Sequence, residues 1–196
     1  MKQFDNPEGA TPLDPDELAG LKIKTITTRG ELDRWEQENI NHAIDWLSSR
    51  RNKSDMLNEV FVRKLHERMF GKVWEWAGEY RRTNKNIGVD KNRIAIELRY
   101  LLDDVKYWID KKTYEPDEIA ARFHHRMVFI HPFPNGNGRH ARLIADTLLK
   151  DVLGQEPFTW GNGDLVHTGD VRHRYIQALK AADNHDYEPL KAFVRS

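Results

Sequence analysis

The chain has no cysteine. That excludes a disulfide scaffold, thiolate-bound zinc, iron–sulfur clusters and a thiol nucleophile. It has no excess of either charge, since 31 Lys and Arg balance 31 Asp and Glu. A protein that holds nucleic acid by bulk charge is therefore excluded; a local basic patch is not, but direct nucleic-acid binding is not expected. Long apolar runs are also missing. No segment approaches the roughly 20 residues of a membrane span, so no membrane association is expected. The first residues, Met1-Lys2-Gln3-Phe4-Asp5, carry no apolar signal core. A cytoplasmic location is the resulting expectation.

What is present is a chain of 196 residues, 39% hydrophobic and 32% charged. That length suits one domain with a real core. Residues 1–27 read as an irregular arm, punctuated by Pro7, Gly9, Pro12, Pro15 and Gly20. Residues 28–196 read as a single domain, since no internal repeat or low-complexity tract appears.

Apolar residues at helical spacing predict seven helices. They span about 31–48, a stretch after Ser54 as N-cap and ended by Gly71, about 95–111, one opened by Pro116, about 139–153, about 170–183, and 189–194. Residues 79–94 lose that period and carry Gly88 amid polar residues, which predicts a hairpin. The fold class is all-α, a helical bundle with one small β-hairpin. From Arg81 to Arg93 five cations face one anion. The hairpin is either a solvated turn or a docking surface for an acidic or phosphorylated partner.

The chemistry concentrates in His131-Pro132-Phe133-Pro134-Asn135-Gly136-Asn137-Gly138-Arg139-His140-Ala141-Arg142. The two prolines stop the preceding helix. The glycines let backbone approach a ligand closely. Loop N–H groups at the positive end of the next helix make an anion nest. Arg139 and Arg142, three apart, share a helix face, and their guanidinium forks match phosphate oxygens. A di- or triphosphate suits one nest and two arginines. His131 beside it can take a proton at neutral pH, so it can deprotonate an attacking hydroxyl. Phe133 reads as a core anchor for the loop.

This segment resembles the Fic (Fido) family, whose motif is His-Pro-Phe-x-(Asp/Glu)-Gly-Asn-Gly-Arg-x-x-Arg. Eight defined positions match: His131, Pro132, Phe133, Gly136, Asn137, Gly138, Arg139 and Arg142. Trp76-Ala77-Gly78-Glu79-Tyr80-Arg81 is similar to the stretch leading into the family's flap. The likeness is strongest to the bacterial subgroup called mobile mystery protein B.

The resemblance implies transfer of AMP from ATP to a Ser, Thr or Tyr hydroxyl of a target protein. It makes His131 the base and puts Gly136, Asn137, Gly138 and Arg139 on the α- and β-phosphates. Arg142 would hold the γ-phosphate. The hairpin, with Lys85, Asn86, Ile87 and Gly88, would be the flap that docks the target by strand addition. Mg²⁺ would bridge the phosphates, but Asn135 stands where the family has an acidic ligand and offers only a neutral carbonyl. A nucleotide-binding module with weak or altered transfer is therefore the alternative. Doc-like kinases carry Lys where this chain has Gly138, which argues against that variant.

Many relatives carry an inhibitory helix ending in Glu followed by Gly or Asn. Glu38-Asn39 fits that ending, with Arg34 where Ser or Thr is usual. The expectation is that Glu38 pairs with Arg142. An inhibitor in a separate chain, a helix-turn-helix or antitoxin-like partner, is the rival. A third class, a metal-dependent hydrolase, would use His124, His125, His131 and His140. Adjacent histidines diverge on a helix and no metal-ligand spacing accompanies them; His124 or His125 would instead buttress the loop. The six tryptophans read as core or subunit contacts, which is compatible with a homo-oligomer.

Overall fold

The computed structural model describes residues 14–53, 55–165 and 169–196. Among the described residues eight α-helices run α1 Pro15–Ala19, α2 Arg29–Ser49, α3 Glu59–Phe70, α4 Ile94–Lys111, α5 Pro116–Ile130, α6 Asn137–Leu148, α7 Asp170–Asp183 and α8 Glu188–Val194. The expected helices all form, and α1 adds one turn inside the stretch read as irregular. Ser54, expected to cap α3, lies outside the described residues; Asn58 caps it, accepting from Phe61 N at 2.8 Å. Thr28 and Glu31 form a capping box that starts α2 two residues earlier than the apolar pattern alone suggests.

α5 is the centre of the bundle, packed against α4, α6 and α8, while α2 packs on α3. Leu65, Met69, Phe70, Leu98, Leu101, Phe123 and Phe133 are fully buried in the main core. Pro116 sits in the first turn of α5, where its missing N–H costs no bond. A second cluster, including Ala120, Tyr175, Leu190 and Phe193, holds α7 and α8 against the outer side of α5. No helix is long and apolar enough to cross a membrane among the described residues.

The hairpin is a correction. Residues 79–94 form bends and a 3₁₀ turn at Lys91–Arg93, and the described residues pair only in one isolated bridge, Leu21 to Trp74. Side chains take the bonds a ladder would use. Arg81 Nη1 donates to Thr83 O, Nη2 donates to Val89 O, and Asn84 Oδ1 accepts from Lys91 N. The stretch is a loop closed by a guanidinium.

Candidate active site

α5 ends at His131, the residue after Ile130, which adopts the left-handed conformation (φ 54°) and turns the chain toward the loop. Its ring is buried, with the residue 6% exposed. Nδ1 lies 3.4 Å from Val128 O. A carbonyl only accepts, so Nδ1 carries the hydrogen and the lone pair falls on Nε2. Burial is the main reason the imidazole is pushed down to about 4, with the nearby Arg81 and Lys85 charges adding to it. The ring is therefore neutral, and able to accept a proton, at neutral pH.

The loop after His131 is held from within and behind. Asn137 Oδ1 accepts from Phe133 N at 2.9 Å and its Nδ2 donates to Phe133 O at 2.8 Å. The Asn137 side chain is thus a brace, and only its backbone is left for the anion nest expected of it. Phe133 stacks on His66 with ring centroids 3.8 Å apart. His66 Nδ1 accepts from Gly78 N, so its Nε2 donates to Asn135 O at 3.0 Å. Gly136 caps α6 at φ 76°, where an added Cβ would stand 2.6 Å from the Phe70 ring. No side chain caps α6. The first-turn N–H groups of 137–139 have no helical partner and carry the positive end of the helix dipole.

Arg81 ties the neighbouring loop to this one. It is 2% exposed; its backbone N donates to Pro132 O at 2.9 Å and its Nε to His131 O at 2.7 Å. Gly88 then lies directly on His131. At φ 103°, a Cβ there would be 2.7 Å from His131 Cβ, so only glycine allows this approach.

Glu38 does not reach Arg142. Its side chain is 64% exposed, 3.9 Å from His42 on the outer face of α2. Glu36, 3% exposed, faces the site instead. Its Oε2 accepts from Arg139 Nη1 at 2.7 Å and its Oε1 from Trp74 Nε1 at 2.6 Å. The helical register explains the exchange: Leu32, Glu36, Ile40, Ala43 and Leu47 form the buried face of α2, and 38 falls opposite. A carboxylate on an apolar stripe was the legible signal.

His131, Gly88, Gly138, Arg139 and Arg142 line one cavity of about 700 Å³, with Glu36 behind Arg139 and outside the lining. Arg172 and Lys180 add positive charge to its wall, where Arg29 also lies but is paired with Asp33 at 2.9 Å; Asp183 is the carboxylate among the lining residues. Asp183 is engaged by His125 Nε2 at 2.8 Å. Phe129, Ile176 and Leu179 make the α7 end apolar. A neutral base, an anion nest and clustered cations are brought together here; they can grip a polyphosphate and take a proton beside it.

The four histidines of the metal alternative point apart: His124 to Tyr175, His125 to Asp183, His131 to Val128 and His140 to Val62. His66, not His124 or His125, buttresses the loop, and nothing in its local sequence marks it. No group of three or more His, Asp or Glu able to hold a metal occurs among the described residues. Asn135 Oδ1 accepts from Gly136 N at 2.6 Å. One neutral oxygen already turned into its own loop does not make a resident Mg²⁺ site. The basic run also shrinks as a docking surface. Arg81 is buried, Lys85 is paired with Asp14 and Glu17, Arg82 with Glu79, and Arg93 with Glu97.

Residues 56–149 match the family model described as the Fic/DOC family. This chain carries a Fic domain. The protein adenylyltransferase Fic of Aedes aegypti is 29% identical over 147 residues, 73% of this chain and 28% of the relative. That of Drosophila melanogaster is 30% identical over 68% of this chain and 26% of its own length. The chain thus spans 28% and 26% of the curated relatives it matches. Among solved structures, Fic-1 of C. elegans is 25% identical with a TM-score of 0.65, covering 80% of this chain and 46% of that one. BepC of Bartonella tribocorum shares the fold at 17% identity and a TM-score of 0.69, over 93% of this chain and 97% of that one. The Fic match at 56–149 spans α3 to α6 and so includes the braced loop and His131.

Proposed function

We propose that this Fic domain transfers AMP from ATP to a hydroxyl side chain of a protein. The observation that carries the reading is His131, held neutral by burial at the rim of a cation-lined cavity that ends on the open N-terminus of α6. The curated relatives carry the name protein adenylyltransferase, and the BepC structure was solved with AMPPNP bound, which supports the same nucleotide here.

In this mechanism His131 Nε2 accepts the hydroxyl proton. The hydroxyl oxygen forms a bond to the α-phosphorus, the bond from that phosphorus to the β-bridging oxygen breaks, and pyrophosphate leaves with the electron pair. The N–H groups of Asn137, Gly138 and Arg139 hold charge that develops on phosphate oxygens. Arg142, Arg139, Arg29 and Arg172 neutralise the tail, and the apolar α7 end takes the nucleoside. An added Cβ at Gly138 would meet only Arg142 Nη1, at 3.8 Å, so the phosphate chain has room there. Mg²⁺, where carried in with ATP, would supply charge neutralisation, and Asn135 would offer it no more than a neutral carbonyl oxygen. Asn86, Ile87 and Gly88 line the cavity beside His131. Their backbone N–H groups make no hydrogen bond among the described residues, which leaves an edge for an extended target segment.

The test is incubation of the purified chain with a bacterial lysate and ATP labelled at either the α- or the γ-phosphate. Label in protein from the α-phosphate only, with AMP found by mass spectrometry, is expected. Label from the γ-phosphate would make it a kinase. Asn135 favours a second reading, nucleotide binding with weak transfer; on that reading Asn135→Asp raises turnover.

A further inference from the structure

Asp14 and Glu17 are not cavity residues, yet they reach the loop that is. Lys85 Nζ donates to Asp14 Oδ2 at 2.8 Å and to Glu17 Oε2 at 2.6 Å, and the lysine side chain is only 4% exposed. Thr83 Oγ1 donates to the same Asp14 oxygen at 2.7 Å. Lys85 and Thr83 together hold the Asp14 carboxyl below the usual carboxylate range. The other side of α1 is tied to the segment after α3. Trp76 Nε1 donates to Glu17 O at 2.9 Å, Glu75 N to Gly20 O at 2.9 Å, and Lys22 N to Val73 O at 2.8 Å. Residues 14–22 therefore strap the 83–90 loop to the body of the domain.

The strap grips the loop at a telling place. Arg81 fixes its two ends, at Thr83 O and Val89 O. Among the described residues, the middle has no ladder or helix to hold it, and Lys85 is its buried ionic tie. The next three residues, Asn86, Ile87 and Gly88, line the cavity, and Gly88 rests on His131.

We propose that Asp14 and Glu17 are positioning residues for the protein substrate. By drawing Lys85 inward they set the height of the 86–88 edge over His131, and so the placement of the hydroxyl that docks there. Nucleotide binding, on the α6 side of His131, does not depend on them. The role in docking rests on the AMP-transfer reading; the ordering of the loop does not.

The test compares the full chain with the Asp14→Asn/Glu17→Gln variant, which keeps shape and removes both charges. Amide exchange at 84–88 is expected to rise about tenfold or more, with α3 and α6 unchanged, since a buried cation loses its partners. AMPPNP affinity stays within about twofold, while the lysate concentration giving half-maximal labelling from α-labelled ATP rises about fivefold at unchanged KM for ATP. Unchanged exchange at 84–88 would overturn the proposal. So would a rise across α3 and α6 as well, or a loss of AMPPNP affinity in step with labelling. If the parent protein labels nothing, the AMP-transfer reading fails, and exchange at 84–88 still decides whether the strap orders the loop.

Discussion

Replacing Glu36 by Gln takes one negative charge out of a buried site and leaves its shape. The remaining amide oxygen still accepts from Trp74 Nε1, so the bond now 2.6 Å long survives. The 2.7 Å ion pair to Arg139 does not. Losing a charged hydrogen bond at a largely buried arginine costs about 2–3 kcal/mol. For a chain of this size that lowers Tm by roughly 5–10 °C without nucleotide. With ATP the sign reverses locally. If ATP binds as proposed, phosphate oxygens would take the place of the carboxylate beside Arg139, and a repulsion between Glu36 and the phosphates would disappear. Affinity for AMPPNP is expected to rise roughly tenfold, about 1.4 kcal/mol. Thermal melts with and without AMPPNP measure both effects in one experiment: a lower melting point alone, and a larger shift with nucleotide. A variant whose apo stability falls while AMPPNP affinity is unchanged would refute the idea that Glu36 competes with phosphate for Arg139. Glu38→Gln, on the solvent side of α2, is expected to change neither.

Acid should unfold this protein steeply. Burial pushes His124 to about 3 and His131 and His140 to about 4, against an unfolded value near 6.5. Below about 6.5 the unfolded chain binds protons that the native state refuses, and burial shifts His66 and His125 the same way, so stability is complete above that pH and falls steeply as pH drops toward about 4, with Asp146, raised by burial to about 6, offsetting part of the loss. Circular dichroism against pH is expected to show a midpoint near pH 5; a fold intact at pH 4 would contradict these burials. Gly136→Ala places a Cβ 2.6 Å from the Phe70 ring in a left-handed backbone, and should cost about 2–3 kcal/mol and most AMPPNP affinity, read by melting and titration. Phe133→Ala removes a fully buried ring stacked on His66, an expected loss of about 3–5 kcal/mol by denaturant titration.

The helices were legible because their apolar spacing and caps agree. α7, Asp170–Asp183, matches its expected span; α6 starts two residues earlier than expected, capped by Gly136 in a left-handed conformation, and the last five residues of the expected span, Leu149–Leu153, continue as a π-helical turn. The loop chemistry was legible because its glycines, histidine and arginines are contiguous. What failed to show was what acts across distance. His66 reaches the loop from α3 with no local mark, its partner 69 residues away; Glu36 is marked as a carboxylate on the apolar stripe of α2, but nothing local names its partner 103 residues on. The expected hairpin failed for a related reason. Its Gly and polar residues signal a turn equally well in a ladder or in a loop, and the choice was made by Arg81, whose fork closes the loop from inside.

The central claim is that His131 moves a proton and does not hold the nucleotide. His131→Ala measures it directly, by following AMPPNP affinity and label transfer from α-labelled ATP in the same preparation. Transfer is expected to fall by roughly 10²–10⁴ while the dissociation constant changes by less than about threefold. Transfer that survives the substitution, or affinity that collapses with it, would contradict the account.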